Sequence, residues 1–264
     1  MINYLDAAIA MAQAAGVVHL QYLGKIPHIA YKSDANLVTD ADHAAEAIIL
    51  SQIRRQFPEH AIIAEESGPS GAGEFCWHID PLDGTTNYAH GLPFFAVSIA
   101  LAQAGEVILA VVYNAANQEL FTATRNGGAY LNGKPIRVSA TPDLDRAILG
   151  TGFAPSVRRD LHNIPEFVAF IQRCQAIRRI GAASLDLCSV ACGRLDGFWE
   201  FGLSSWDIAA GALMVLEAGG YVGSTDGTVL LLDGHKIIAT NGCLQQAMLE
   251  VLANSSKGYT DPLS

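Results

Sequence analysis

The stretch Trp77-His78-Ile79-Asp80-Pro81-Leu82-Asp83-Gly84-Thr85-Thr86-Asn87 limits the architecture more than any other part of this 264-residue chain. An apolar strand runs into Asp80. Proline cannot donate to a central ladder, so the chain is expected to turn at Pro81 and bring Asp83 back toward Asp80. Two carboxylates three residues apart at the end of a buried strand repel each other, so either one takes a proton or a cation sits between them. Gly84 permits close backbone approach, and Thr85 and Thr86 can open a helical turn whose N–H groups form an anion site. Hard-cation ligands and a phosphate cradle are therefore adjacent. An isolated Asp-x-x-Asp-Gly is also a common surface turn in which Asp and Thr cap a helix. The apolar strand before it argues against that, as do two further acidic positions.

The first is Glu65-Glu66, delivered by the strand-like run Ala61 to Ala64, where the simpler reading is a pair of solvated loop carboxylates. The second is Asp207, which follows Ser204-Ser205-Trp206 and opens a helical pattern, where the simpler reading is an acidic residue favoured by the helix dipole. A decoy is set aside: Gly128-Ala-Tyr-Leu-Asn-Gly133-Lys134 matches the start of a P-loop, but Pro135 stands where that loop needs Ser or Thr, and the stretch reads as a strand after an Asn-Gly turn.

The rest of the chain is consistent with a folded body around such a site. Half the residues are apolar and 16% are charged, a globular composition long enough for one large domain or two subdomains. The net charge of −10, with no Lys/Arg run, makes a nucleic-acid backbone or an anionic membrane a poor partner. The five cysteines are an odd number without framework spacing and read as reduced thiols. Cys188 and Cys192 sit four apart, but no second pair completes a tetrahedral metal set, so core packing is the better reading. The first basic residue is Lys25, so a signal peptide is not expected, and the longest apolar run, Val107 to Tyr113, falls well short of the ~18 residues that span a bilayer. A cytoplasmic location is the expectation.

Helical spacing predicts a helix through Leu5, Ile9, Ala12, Gly16 and Leu20 that ends at Gly24, and another over Asp42 to Gln56. A loop is expected over Ser67 to Gly73. Strand signals recur at Phe75 to Asp80, Phe95 to Ala102, Val107 to Tyr113 and Glu119 to Thr124, with turns at Asn126-Gly127-Gly128 and Asn132-Gly133. After Ala140 the pattern becomes strand Ala147 to Thr151, helix Ile164 to Arg173, strand Ile177 to Ile180, helix Ser184 to Gly193, strand Gly197 to Phe201 and helix Trp206 to Ala218. Layered α and β structure follows, read as one structural unit of two parts, 1–145 with the acidic motifs and 146–264 completing the site.

Taken together, Ala64-Glu65-Glu66-Ser67-Gly68, the Asp-Pro-Leu-Asp-Gly-Thr-Thr-Asn core, and Trp206-Asp207-Ile208-Ala209-Ala210-Gly211 with Glu217-Ala218-Gly219-Gly220 resemble the signature segments of the inositol monophosphatase family. Leu37-Val38-Thr39-Asp40-Ala41-Asp42 and Gly181-Ala182-Ala183-Ser184-Leu185-Asp186-Leu187 fall in family order. Gly152-Phe153-Ala154-Pro155 resembles bacterial members. The resemblance implies an αβαβα sandwich, Mg²⁺-dependent phosphomonoester hydrolysis with two or three metal ions, lithium sensitivity and a homodimer. Carried over by position, Glu65, Asp80 and the Leu82 carbonyl would hold a first metal, and Asp80, Asp83 and Asp207 a second, with Glu65 reaching a third. Thr85 with Asp42, and Glu65, would position and deprotonate the attacking water, while Gly84, Thr85 and Thr86 receive the phosphate. Asp83, Asp207, Ala183 and Glu200 would face the alcohol, Glu200 as hydrogen-bond partner of a ring hydroxyl.

The resemblance makes myo-inositol 1-phosphate the leading substrate, a small phosphorylated polyol. Thr86 stands where relatives acting on nucleotide bisphosphates or histidinol phosphate place Lys. A phosphatase for a sugar bisphosphate or a nucleotide 3′-phosphate is the same-fold alternative. A non-catalytic binding or regulatory protein that keeps the fold is the other.

Overall fold

The computed structural model describes residues 3–25, 29–33, 36–154, 157 and 161–255, with backbone alone for 29–33 and 36–39. The side chains of Leu37, Val38 and Thr39, and all of Pro155, lie outside the described residues. Helix α1 (Tyr4–Tyr22) and the short hairpin β1 (Ile29–Ser33) and β2 (Asn36–Thr39) lead into α2 (Asp40–Gln56). A first sheet follows from β3 (Ala61–Ala64), β4 (Gly68–Ser70), β5 (Phe75–Asp83), β6 (Ala96–Gln103), β7 (Glu106–Asn114), β8 (Glu119–Thr124), β9 (Gly128–Leu131) and β10 (Lys134–Pro135). Its strand order is β10-β9-β8-β7-β6-β5-β3-β4. Between β5 and β6 lies the single-turn helix α3 (Thr85–Ala89).

The second sheet is made of β11 (Ile148–Thr151), β12 (Ala176–Arg178), β13 (Gly197–Phe201), β14 (Tyr221–Gly223) and β15 (Lys236–Thr240), in the order β12-β11-β13-β15-β14. The helices of this half are α4 (Ile164–Ile171), α5 (Ala183–Ala191), α6 (Ser205–Glu217) and α7 (Gln245–Asn254).

Side-chain alternation along β6 shows how these elements stack, since strand residues point to opposite faces in turn. Val97, Ile99 and Leu101 pack with Met11, Ala12 and Ile49 of α1 and α2. Ala96, Ala100 and Ala102 pack instead with Leu187, Ile208 and Leu213 of α5 and α6. Phe198 and Ile237 of the second sheet close that same cluster from the far side. Trp199 and Ile238, one residue on, face Phe170 and Met248 of α4 and α7. The layers therefore run α, β, α, β, α. With both faces covered, β5 and β6 are almost wholly buried, and they read as continuous apolar runs although the sheet is largely antiparallel.

The turn expected at Pro81 does not occur. β5 continues to Asp83, with Asp80 opposite Ser98 and Asp83 opposite Ala96, so three steps along β5 match two along β6 across a bulge. The reason is the length of β3, which stops at Ala64 opposite Ile79. From Asp80 onward that edge of β5 has no strand partner among the described residues, so the missing proline N–H interrupts no ladder. The Pro81 carbonyl accepts from His19 Nε2 of α1 at 2.9 Å. The expected loop Ser67 to Gly73 contains β4, paired antiparallel to β3, and helix α2 starts two residues earlier than its spacing predicts. No P-loop helix follows Lys134, which lies in the edge strand β10. Cys188 is buried in the core and all five cysteines are free.

Candidate functional site

Three element ends meet beside the bulge. The Glu65 N–H continues the β3 ladder by donating to Ile79 O at 3.1 Å, which leaves its half-buried side chain next to the acidic stretch of β5. Asp80 and Asp83, on β5, are 2% and 8% exposed. Helix α6 brings Asp207 in its first turn. That turn is anchored on the sheet by two side chains, as Ser98 Oγ donates to Trp206 O at 3.1 Å and His78 Nδ1 meets Ser205 Oγ at 2.9 Å. The small residues on this face of β6 allow the helix to lie so close. Asp207 also caps its own helix, its Oδ2 accepting from Ser204 N–H at 2.7 Å, so the capping role and a site role are compatible.

The other carboxylates are held with similar economy. Asp80 Oδ1 accepts from Leu82 N–H at 2.9 Å. Asp83 Oδ2 accepts from both the N–H and the hydroxyl of Ser184, at 2.8 and 2.5 Å, at the start of α5. Burial pushes Asp80 well above the usual carboxylate range, and the charges of Glu65, Asp83 and Asp207 add to it. Asp83 is raised to about 6 by burial, against the pull of the Ser184 bonds. Asp207 is raised to about 8 by burial and by the charge of Asp83. Negative charge is thus concentrated where solvent cannot relieve it, and bound positive charge would.

Among the described residues no three His, Cys, Asp or Glu side chains already surround a point that a metal ion could occupy. The donor chemistry nonetheless fits a small hard cation. Four carboxylates and the Leu82 carbonyl offer only oxygen, and the strained protonation of the acids is what a cation would reverse.

On the other side of the bulge, Asp42 is fully buried in the first turn of α2. The Thr85 hydroxyl stands 3.2 Å from Asp42 Oδ1 and 3.0 Å from Leu82 O, one hydrogen between two acceptors. Gly84 precedes α3 at φ 86°, and a Cβ there would come 2.6 Å from Phe94 O, so both conformation and space require glycine. Thr86 is exposed. Asn87 Nδ2 donates to Phe94 O and Ile180 O, each at 2.8 Å, tying α3 to the loop before α5.

That loop leads to Ala183, the buried first residue of α5. Glu200 lies on β13, 8% exposed, and its carboxyl is pushed to about 8 by burial and then by the charges of Asp207 and Asp83. It packs where Gly152 has no side chain, and any larger residue at 152 would overlap it. All of Asp42, Glu65, Asp80, Asp83, Thr85, Ala183, Glu200 and Asp207 therefore belong to one region.

Sequence reading gave several residues here no role of their own. Ser184 holds Asp83 and Asn87 joins the loops, and neither is signalled by local pattern. Asp186, 1% exposed, has both carboxylate oxygens buried with no partner at hydrogen-bond geometry among the described residues, and burial and then the charge of Glu200 hold it well above the usual range. Glu46 Oε2 accepts from Glu66 N–H at 2.9 Å. Its spacing of four from Asp42 was the one available sign.

A family model described as the inositol monophosphatase family matches residues 2–260. An inositol-1-monophosphatase of Synechocystis sp. is 48% identical over 97% of this chain and 91% of its own length. A protein of Pseudomonas aeruginosa named Nus factor SuhB is 44% identical over 94% of this chain and 95% of its own. The solved structure of inositol monophosphatase from Anabaena (Nostoc) sp. superposes with a TM-score of 0.88 at 44% identity, covering 95% of each chain.

Proposed function

Since the chain belongs to the inositol monophosphatase family and is a phosphatase, we propose that it hydrolyses myo-inositol 1-phosphate to inositol and phosphate with Mg²⁺ as cofactor. The observation that carries this reading is the cluster of buried carboxylates Asp80, Asp83 and Asp207, all raised by burial and by neighbouring acidic charge, beside the Thr85–Asp42 pair.

Glu65, Asp80, Asp83, Asp207 and the Leu82 carbonyl would hold the metal ions. When bound, Mg²⁺ supplies Lewis acidity to water and charge neutralisation to the phosphoryl and leaving oxygens. Asp42 accepts the Thr85 hydroxyl hydrogen, which turns the Thr85 oxygen lone pairs toward the attacking water and lets the pair take up its proton, while Glu65 orients that water from the other side. The Gly84 and Thr85 amides, with Thr86, receive the phosphate oxygens at the start of α3. Water attacks phosphorus and gives a proton to the Thr85–Asp42 pair, the ester P–O bond breaks, and the leaving oxygen takes a proton from solvent to depart as the alcohol. Glu200 and Ala183 face the polyol, and Asp83 and Asp207 border it.

The acidic surface is matched to this role because bound cations reverse the local field that would otherwise repel a phosphate ester. The reading includes a homodimer in the cytoplasm and no direct nucleic-acid or membrane partner. The name carried by the Pseudomonas relative, Nus factor SuhB, is not that of a phosphatase and favours a second role beside catalysis. A variant inactivated at the site that still supplies the function of the intact protein in its host would separate the two roles.

The decisive experiment is phosphate release from a panel of monophosphates with Mg²⁺, with EDTA and with added Li⁺. Inositol 1-phosphate is expected to be turned over best, strictly with Mg²⁺, and Li⁺ to inhibit. Full activity in EDTA would end the metal reading. A sugar bisphosphate or a nucleotide 3′-phosphate turned over faster would move the substrate.

A further inference from the structure

Helix α2 reaches the site twice. Asp42 and Glu46 are four residues apart, so they share a face, and they are 0% and 4% exposed. Asp42 meets the Thr85 hydroxyl at 3.2 Å, and Glu46 Oε2 accepts from Glu66 N–H at 2.9 Å. The N–H of Glu65 is the last of this segment to pair with β5, on Ile79 O. One residue later the chain leaves that ladder, and the acceptor for the next N–H comes from the helix. A buried carboxylate is costly without a hydrogen-bonded partner, and its bond to a backbone N–H is of the strong, charge-assisted kind. The helix itself is fixed by Ala45, Ile49 and Ile53, all fully buried in the cluster that joins it to α1 and the first sheet. One rigid body thus holds both the hydroxyl of Thr85 and the backbone next to Glu65.

We propose that Glu46 is a positioning residue that clamps the Glu66 amide and thereby sets the place of the Glu65 carboxylate relative to Thr85. It does not touch the substrate. Its effect is felt through Glu65, in affinity for the divalent cation and in the alignment of the attacking water. This rests on the reading of Glu65 as a metal-site residue.

The test uses the full chain as wild type, Glu46→Gln and Glu46→Leu, with Mg²⁺ binding followed by calorimetry and hydrogen exchange followed at the Glu66 amide. Glu46→Leu fills the volume without an acceptor, and it should weaken Mg²⁺ binding about 10- to 100-fold, the usual range for loss of a partner behind a ligand, and speed exchange at Glu66. Glu46→Gln keeps an oxygen acceptor and should bind within a factor of about three of wild type, as a neutral acceptor is weaker but present. Restoration by Gln is what a merely structural acid would not produce. A folded Glu46→Leu that binds Mg²⁺ like wild type overturns the proposal. So does rapid exchange at Glu66 in the wild type, a measurement that needs no variant and stands even where Glu46→Leu fails to fold. A wild type that binds no Mg²⁺ sinks the metal reading instead, while the exchange arm still judges the clamp.

Discussion

Asp83 serves two masters, a helix start and an acidic cluster, and substitution can separate them. Asp83→Asn keeps the shape and an oxygen for the Ser184 N–H and hydroxyl, yet removes a charge from a site that needs it. Turnover should fall by on the order of 10²-fold or more if two-metal clamping supplies several kcal/mol, with Tm unchanged or raised because a burial-disfavoured charge is gone. A near-wild-type rate would leave Asp83 as only a helix cap. Glu200 calls for a different experiment. Burial pushes its carboxyl to about 8, so Glu200→Gln copies the form dominant at low pH and not the ionised one. The preference for inositol 1-phosphate over p-nitrophenyl phosphate should therefore fall less at acid pH than at alkaline pH, where the loss of a charge-assisted hydrogen bond should reach about tenfold or more. Equal losses on both esters at every pH would make Glu200 structural.

At the scale of elements, α1 and β5 are locked together at the irregular stretch, and His19 is the lock. It is fully buried, its Nε2–H donates to Pro81 O and its own carbonyl accepts from Tyr88 Oη at 2.6 Å. Burial pulls its pKa from 6.5 down to about 4. The unfolded chain then takes up a proton that the folded one refuses, so stability is lost as pH falls from 6.5 to about 4, by about 3 kcal/mol in all. His19→Gln, which retains an N–H donor, should flatten Tm against pH in this window. An unchanged slope would show that His19 does not titrate there. Much of the site was legible because its chemistry lies in contiguous runs: Glu65, Asp80, Asp83, Thr85 and Asp207 are each announced by the residues beside them. The bulge at Pro81 was not, because it depends on where a different strand, β3, happens to end. Ser184 on Asp83 and Glu46 on Glu66 depend on which helix packs against which strand, and no local pattern encodes that.

For the molecule as a whole, the cluster makes stability depend on pH and metal together. The folded pKa of Asp83, Asp207 and Glu200 lies at about 6, 8 and 8, above the ordinary range. These groups favour the folded state while protonated, and that contribution is lost as pH rises from about 4 through those values. In EDTA, Tm should fall between about pH 6.5 and 9, above the window in which His19 titrates, and saturating Mg²⁺ should raise it most at the alkaline end. Scanning calorimetry that finds the same slope with and without Mg²⁺ would contradict this. The five-layer stacking has a consequence of another kind, for synthesis. The first sheet is complete in sequence at Pro135, but the helices that cover its inner face begin only at Ala183 and Ser205. At about 5–20 residues per second on the ribosome, the apolar surface formed by Ala100, Val112 and Phe121 waits on the order of seconds for its cover. If the first sheet forms as soon as it is synthesised, its inner face stays open to water over that interval, so shelter from outside the chain should raise the yield of folded protein, and release of chains truncated before Ala183 should give aggregates.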